Sequence, residues 1–170
     1  ITALLAAIDA AQTDQNAGMT SHAMGRLQEA INLLSEALKV AKASVFLHLL
    51  RARAGSELRE YGWVRHDTAA VLRSSDSDHH SEHMEALQLL GEAQFELLGQ
   101  GNSALKNLRL CMRRDPAKQS GCDQAHRRID SILEAQLNVQ DAAEKQDWAA
   151  VISACQEQLR LDQTSPLAQR

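Results

Sequence analysis

A chain of 170 residues, 44% apolar and with only two prolines, is long enough for one or two ordinary domains or for a short array of repeats. A formal net charge of −4 and an isoelectric point near 6.0 argue against a nucleic-acid binder. No apolar run approaches the ~18 residues that a membrane span needs.

Residues 1–24 are helix-forming, ITALLAAIDAAQ and then MTSHAM, with Asn16 and Gly18 weakening the middle. Beyond Gly25, Ala30, Leu34 and Ala37 fall on one stripe. A helix from Phe46 to Glu60 and a second from about Tyr61 to Arg73 follow, and in the second Val64, Thr68 and Val71 hold the same three offsets. The polar stretch SSDSDHHSEH leads to the clearest unit, Glu85 to Pro116. Its first helix carries Ala86, Leu90, Ala93 and Leu97 at helical spacing, with Leu89 and Phe95 alongside. The break is Gly99-Gln100-Gly101-Asn102-Ser103, and Ala104, Leu105, Leu108, Cys111 and Met112 then form a second stripe. Arg113 and Arg114 suit the negative end of that helix, and Asp115-Pro116 stops it. A long polar-faced helix runs on to about Gln146, after which Trp148, Val151 and Cys155 repeat the pattern. The closing TSPLAQR, with Ser165-Pro166 as cap and first turn, reads as the opening of another repeat.

Hairpins of this length cannot bury their own stripes and must stack on neighbours. From Ala30 to Val64 is 34 residues, from Val64 to Ala104 is 40, and from Ala104 to Val151 is 47. The order of Phe95, Gly99, Ala104, Leu108, Cys111 and Pro116, with the 34-residue spacing, resembles a tetratricopeptide repeat. The resemblance implies an all-α right-handed superhelix of helical hairpins, at about 20–40, 46–73, 84–115 and 120–160; a plain helical bundle is the other arrangement that such helices serve. The expected division is a first repeat group over 1–116, an extended connecting helix over 117–146 and the start of a next group over 147–170. Starting at Ile1 without Met and stopping at Arg170, the chain reads as an excised fragment.

The cysteines admit two readings. Cys111 sits at a small-residue position, where a buried thiol packs as a small hydrophobe, yet Cys122 lies just across the turn from Asp115 to Gly121, within reach of a bridge. Cys155 reads as a free, buried thiol. Gly99, then Cys111 twelve residues on, then Arg113-Arg114-Asp115, then Cys122 and a long helix to Gln146-Asp147-Trp148, with Leu50-Arg51-Ala52 upstream, resembles the tetratricopeptide J-domain co-chaperones of the endoplasmic reticulum lumen, DnaJ subfamily C of the kinase-inhibitor type. The likeness runs from about Phe46 to Leu161; the cysteine pair is one residue further apart than in that family, and a second pair, near Ser44 and Ala54, is missing. What it implies is a Cys111–Cys122 disulfide and a non-catalytic region without its J domain, since no His-Pro-Asp occurs. Such a region would hold or position unfolded polypeptide for a lumenal 70-kDa heat-shock chaperone such as BiP, with no cofactor.

In stacked hairpins the first helices line the concave side, which would gather Phe46, Leu49 and Arg53 with Leu89, Ala93 and Glu96. Some cytosolic relatives of the fold grip the terminal carboxylate of heat-shock chaperones with Lys, Asn and Arg. The matching positions here, Gln15, Met19, Leu50, Ala86 and Leu90, carry no such clamp. Asp76, Asp78, His79, His80 and His83 cluster in one loop, where His79 and His83 could share a helix face as metal ligands; the plainer reading is a solvated loop entering a helix capped near Ser81. His48 and His126 stand alone on helices. Seven basic residues (Lys106, Arg109, Arg113, Arg114, Lys118, Arg127 and Arg128) read either as a patch for an acidic partner or, more simply, as a solvated outer face. No G-x-S-x-G, H-E-x-x-H or phosphate loop is present, so no enzyme is expected. A co-chaperone array and a generic scaffold for another complex are the two leading functions the sequence leaves standing, with an enzyme holding a metal at the histidine loop a distant third.

Overall fold

The computed structural model describes residues 2–75, 79–115, 117 and 120–162, and every regular element among them is a helix. The elements are α1 (Thr2–Ala23), α2 (Leu27–Val40), α3 (Val45–Glu57), α4 (Tyr61–Val71), α5 (His80–Leu98), α6 (Gly101–Arg114), α7 (Cys122–Glu144) and α8 (Trp148–Asp162). Each helix packs on the next. Among the odd helices α1 also meets α3, α3 meets α5 and α5 meets α7, whereas no even helix meets another even one. The array is therefore four hairpins in two layers, with the odd helices inside and the even helices outside. No helix among the described residues is long and apolar enough to cross a membrane.

One backbone device makes all four hairpin turns. The described residues with positive φ are Gly25, Arg59, Gly99 and Gln146, one at each turn. Behind each, an amide reaches back over the helix end: Arg26 to the Ser21 carbonyl, Glu60 to Gly55, Gln100 to Gln94 and Asp147 to Ala142. Left-handed backbone at the helix end satisfies carbonyls that the helix itself leaves open.

The residues that set the repeat spacing are the core of each hairpin. Ala30, Leu34 and Ala37 of α2, Val64, Thr68 and Val71 of α4, and Ala104, Leu108 and Cys111 of α6 are all fully buried. Leu34, Ala37 and Leu38 pack with Leu47 and Leu50 of α3. Val45 and Leu49 pack with Val71 and with Ala86 of α5. The largest cluster joins Met84 and Leu87 of α5, Ala104, Leu105, Leu108 and Cys111 of α6, and Cys122, Ala125 and Ile129 of α7. The first half of α7 thus belongs to the third core, and its second half packs on α8.

Two expectations need correction. The first hairpin does not begin near residue 20, because α1 runs unbroken through Asn16 and Gly18. Gly18 is buried against α2, and a Cβ there would lie 2.9 Å from Leu34 Cγ. Packing overrides the weak helix propensity of the residue. Cys155 is half-buried, not buried, because no described residue covers the outer face of α8. The segment TSPLAQR, with Ser165-Pro166, lies outside the described residues.

Gly91 repeats the device of Gly18. A Cβ at Gly91 would stand 2.9 Å from Leu108 Cγ and 3.2 Å from the Ala104 carbonyl oxygen, whereas one at Gly62 of α4 meets open space. Urea denaturation should therefore show Gly91→Ala losing about 1–3 kcal/mol through overpacking, and Gly62→Ala gaining about 0.5–1 kcal/mol.

Candidate functional site

The inner layer leaves one face of α1, α3, α5 and α7 uncovered by the outer helices, and this face is held by ion pairs that step from one inner helix to the next. His22 Nε2 of α1 lies 3.4 Å from Glu57 of α3. Arg53 of α3 donates to Glu85 of α5. Arg128 of α7 donates to Glu96 of α5 at 2.6 Å. The hydrogen bond from its guanidinium to Glu85 holds Arg53 more firmly protonated than an ordinary arginine. Glu92, one turn before Glu96, accepts from the Gln88 side-chain amide at 3.2 Å, its one hydrogen bond among the described residues. Burial pushes its carboxyl up, against the opposing pull of Gln88 and Arg128.

The expected binding residues divide between surface and core. Phe46 is 47% exposed and Arg53 is also exposed, while Leu89 is half-buried beside Glu92. Glu96 is committed to Arg128, with only 8% of its side chain exposed. Leu49 and Ala93, expected on the concave face, are buried at 4% and 0%. Leu49 turns into the α3–α4–α5 cluster. Leu50 and Ala86, placed on the surface by analogy with a carboxylate clamp, are core residues too, at 8% and 0%. The sequence reading does not single out Arg128 or Glu92 for this face; the 32-residue interval from Arg53 to Glu85, which recurs from Glu96 to Arg128, is a signal for Arg128, and Glu92 has none beyond its place one turn before Glu96.

Beneath this face sits a buried charge network. Asp67 of α4, fully buried, accepts from Arg51 Nε at 2.8 Å and Nη2 at 2.7 Å, and from the Nδ1 atoms of His48 at 2.8 Å and His66 at 2.9 Å. His48 Nε2 faces the Lys42 carbonyl at 3.1 Å, Arg51 Nη1 donates to Ser35 Oγ at 2.8 Å, and the guanidinium stands 4.6 Å from the Trp63 ring centroid. Burial alone would push the Asp67 carboxyl up; the hydrogen bonds from Arg51, His66 and His48 outweigh it and hold the carboxyl below its usual range. His48, His66 and Asp67 bring three donor atoms within 4.8 Å. The Arg51 guanidinium, bonded to both carboxylate oxygens, already supplies the positive charge a metal would bring.

The proposed histidine loop is not assembled as a ligand set among the described residues. His83 is buried with Nε2 3.0 Å from Ser74 Oγ, while His79 lies 3.9 Å from Glu82 at the start of α5. Asp76 and Asp78 lie outside the described residues. Ser81 is inside the helix, bonded to Glu82, and does not cap it. The basic residues divide: Lys106, Arg109 and Arg113 line one open hollow on α6 with Met112, Arg109 also donating to His126, whereas Arg127 pairs with Asp123 and Arg128 turns inward. Lys118 lies outside the described residues.

Cys111 and Cys122 stand as a bonded pair joining α6 to α7, with Cα atoms 6.2 Å apart and both residues fully buried. The turn between them is held by Asp115, whose carboxylate accepts from the Ser120 amide at 2.6 Å.

No model of a known protein family matches this chain, and no curated protein matches it. Solved structures do. The first tetratricopeptide domain of Spaghetti (RPAP3), solved with the HSP90 peptide SRMEEVD, is similar over 75% of this chain and 95% of its own, at 19% identity and a TM-score of 0.61. The Arabidopsis OM64 tetratricopeptide domain is similar over 73% of this chain and 97% of its own, at 21% identity and a TM-score of 0.61. The fold is that of a tetratricopeptide-repeat domain.

Two outcomes are expected at these buried groups. Asp67→Asn should cost about 3–5 kcal/mol, since it leaves Arg51 buried without its counter-charge. Because the folded carboxyl titrates below the unfolded value of about 4, the wild-type contribution is full above that value and is lost as pH falls through the folded one. The acid limb of a stability–pH curve should accordingly flatten in the variant. Reduction of the Cys111–Cys122 pair, which closes a loop of sequence separation 11, should lower stability by about 3 kcal/mol. Mass spectrometry of alkylated, unreduced protein should find only Cys155 modified, and modification at 111 and 122 would count against the bond.

Proposed function

We propose that this chain is a non-catalytic, protein-binding repeat region of an endoplasmic reticulum J-domain co-chaperone, which holds or positions unfolded polypeptide for a lumenal 70-kDa heat-shock chaperone. The observation that carries the binding role is the open inner face, where Phe46, Arg53 and Leu89 remain accessible on rigidly stacked helices. A related fold, that of Spaghetti (RPAP3), has been solved with a chaperone peptide, which supports the same kind of use here. Phe46 and Leu89 are apolar, and apolar contact suits loosely selective capture of extended chain. The lumenal assignment is supported by the Cys111–Cys122 pair, since disulfides persist in oxidising compartments. It is supported also by the family resemblance of the region around those cysteines. The 23 residues of α7, about 35 Å at ~1.5 Å per residue, would set a fixed distance between the holding surface and a J domain elsewhere in the protein.

The full-length protein, added to its lumenal chaperone, should stimulate ATP hydrolysis. Gln136→Pro, at an exposed site in the middle of α7, should reduce client-dependent stimulation while leaving client binding at the inner face intact. A full-length protein that resides in the cytosol and stimulates no ATPase would reject the co-chaperone reading and leave a generic tetratricopeptide scaffold.

A further inference from the structure

The charges of the inner face are unequally matched. Two of its arginines are spent, Arg53 on Glu85 and Arg128 on Glu96, and His22 lies beside Glu57. Glu92 lies between these pairs on α5, one turn from Glu96 and two from Glu85, and among the described residues its hydrogen-bond donor is the neutral amide of Gln88. Arg59, at the α3–α4 turn, reaches only the Glu96 carbonyl, at 3.5 Å, so the Glu92 carboxylate has no cationic hydrogen-bond donor among the described residues. An acidic segment entering the groove would meet Glu92, with Arg53 and Arg128 already paired. A cationic one would complete the pairing, since charge-assisted hydrogen bonds are the strong ones.

We infer that the groove along α5 takes an extended polypeptide segment carrying a Lys or Arg side chain, and that Glu92 is the residue that receives the cation. Leu89, half-buried on the adjoining position, offers apolar surface to the aliphatic stem of such a side chain, which packs its methylenes while its charged end pairs. Arg53 and Arg128 then act as positioning residues, holding Glu85 and Glu96 against the neighbouring inner helices and leaving Glu92 as the carboxylate of α5 paired with a neutral amide, not with an arginine. The selectivity is opposite in sign to that of a clamp for an acidic tail such as SRMEEVD. The inference rests on the peptide-groove reading above and adds the chemistry of the occupant.

The test uses the purified chain and three capped, fluorescein-labelled decapeptides in which Ser alternates with Lys, with Gln or with Glu. Anisotropy at low salt should show the Lys peptide binding at least tenfold more tightly than the Gln peptide, with the Glu peptide and SRMEEVD weaker still. Glu92→Gln should reduce affinity for the Lys peptide by about tenfold and leave the Gln peptide unchanged, while an unaltered melting curve shows the fold intact. Amide chemical shifts locate the contact. If the peptides perturb Leu89 and Glu92 without regard to charge, or if Glu92→Gln binds the Lys peptide as well as the parent does, the cationic inference is overturned and the groove remains. If no peptide perturbs α5, the groove reading falls with it.

Discussion

The structure depends on how closely the two helices of a hairpin approach each other. In α1–α2 and α5–α6 the approach is made through a glycine, Gly18 under Leu34 and Gly91 under Leu108, where even a methyl group would stand under 3 Å from the leucine. In α3–α4 it is Gly55 under Trp63, at 2.6 Å for a Cβ. Tight contact on this side buries one stripe of each outer helix completely and turns its other apolar residues toward the next inner helix. Stacking follows because Leu34 and Leu38 still need Leu47 and Leu50 to finish their burial. The layering, and with it an inner face free of outer helices, is a consequence of that geometry.

Polar groups adjust to the same constraint. Arg51 and Asp67 face each other across the α3–α4 contact, and the Trp63 ring stands against the guanidinium. An ion pair buried this deeply contributes less net stability than its hydrogen bonds suggest, because both charges were taken from water. Its effect is on register: with Asp67 fixed to both Arg51 and His48, α4 cannot slide along α3 without stranding a charge. The exposed pair Arg53–Glu85 and the largely buried pair Arg128–Glu96 act one layer further in, linking successive inner helices across their joints.

Most of the fold was legible because its signal is periodic and local. The triplets at Ala30, Val64 and Ala104 mark buried positions in three outer helices, and all nine residues have no exposed surface. The turns were legible where glycine occupies them and obscure where it does not. Gly25 and Gly99 are visible, but Arg59 and Gln146 hold the same left-handed conformation without a residue type that announces it. Each of the four lies five positions before Ala30, Val64, Ala104 or Val151, so the repeat spacing, not the residue, was the usable clue. The binding face was harder to read, since helical periodicity gives a stripe to within one position and no better. Ala86 and Ala93 follow the half-buried Glu85 and Glu92 by one position, a step of about 100° that carries them into the core, and Leu49 and Leu50 lie in a run of buried residues from Leu47 to Ala52.

Burial is not shared equally along the array. Ile31 and Leu38 of α2 are exposed by 1% and 7%, because α3 covers them. Their counterparts on α8 at the same offsets, Ile152 and Leu159, are exposed by 59% and 63%. A hairpin therefore gains full stability only when a further inner helix lies on it, as nearest-neighbour stacking requires. The hairpins with both sides covered, α3–α4 and α5–α6, are also the ones that hold the Arg51–Asp67 network and one end of the Cys111–Cys122 link. Groups that cannot tolerate water have collected where the array opens least. The Arg53–Glu85 joint and Glu92 lie on those same two hairpins, so the part of the inner face best placed to bind is carried by the part of the chain least able to move.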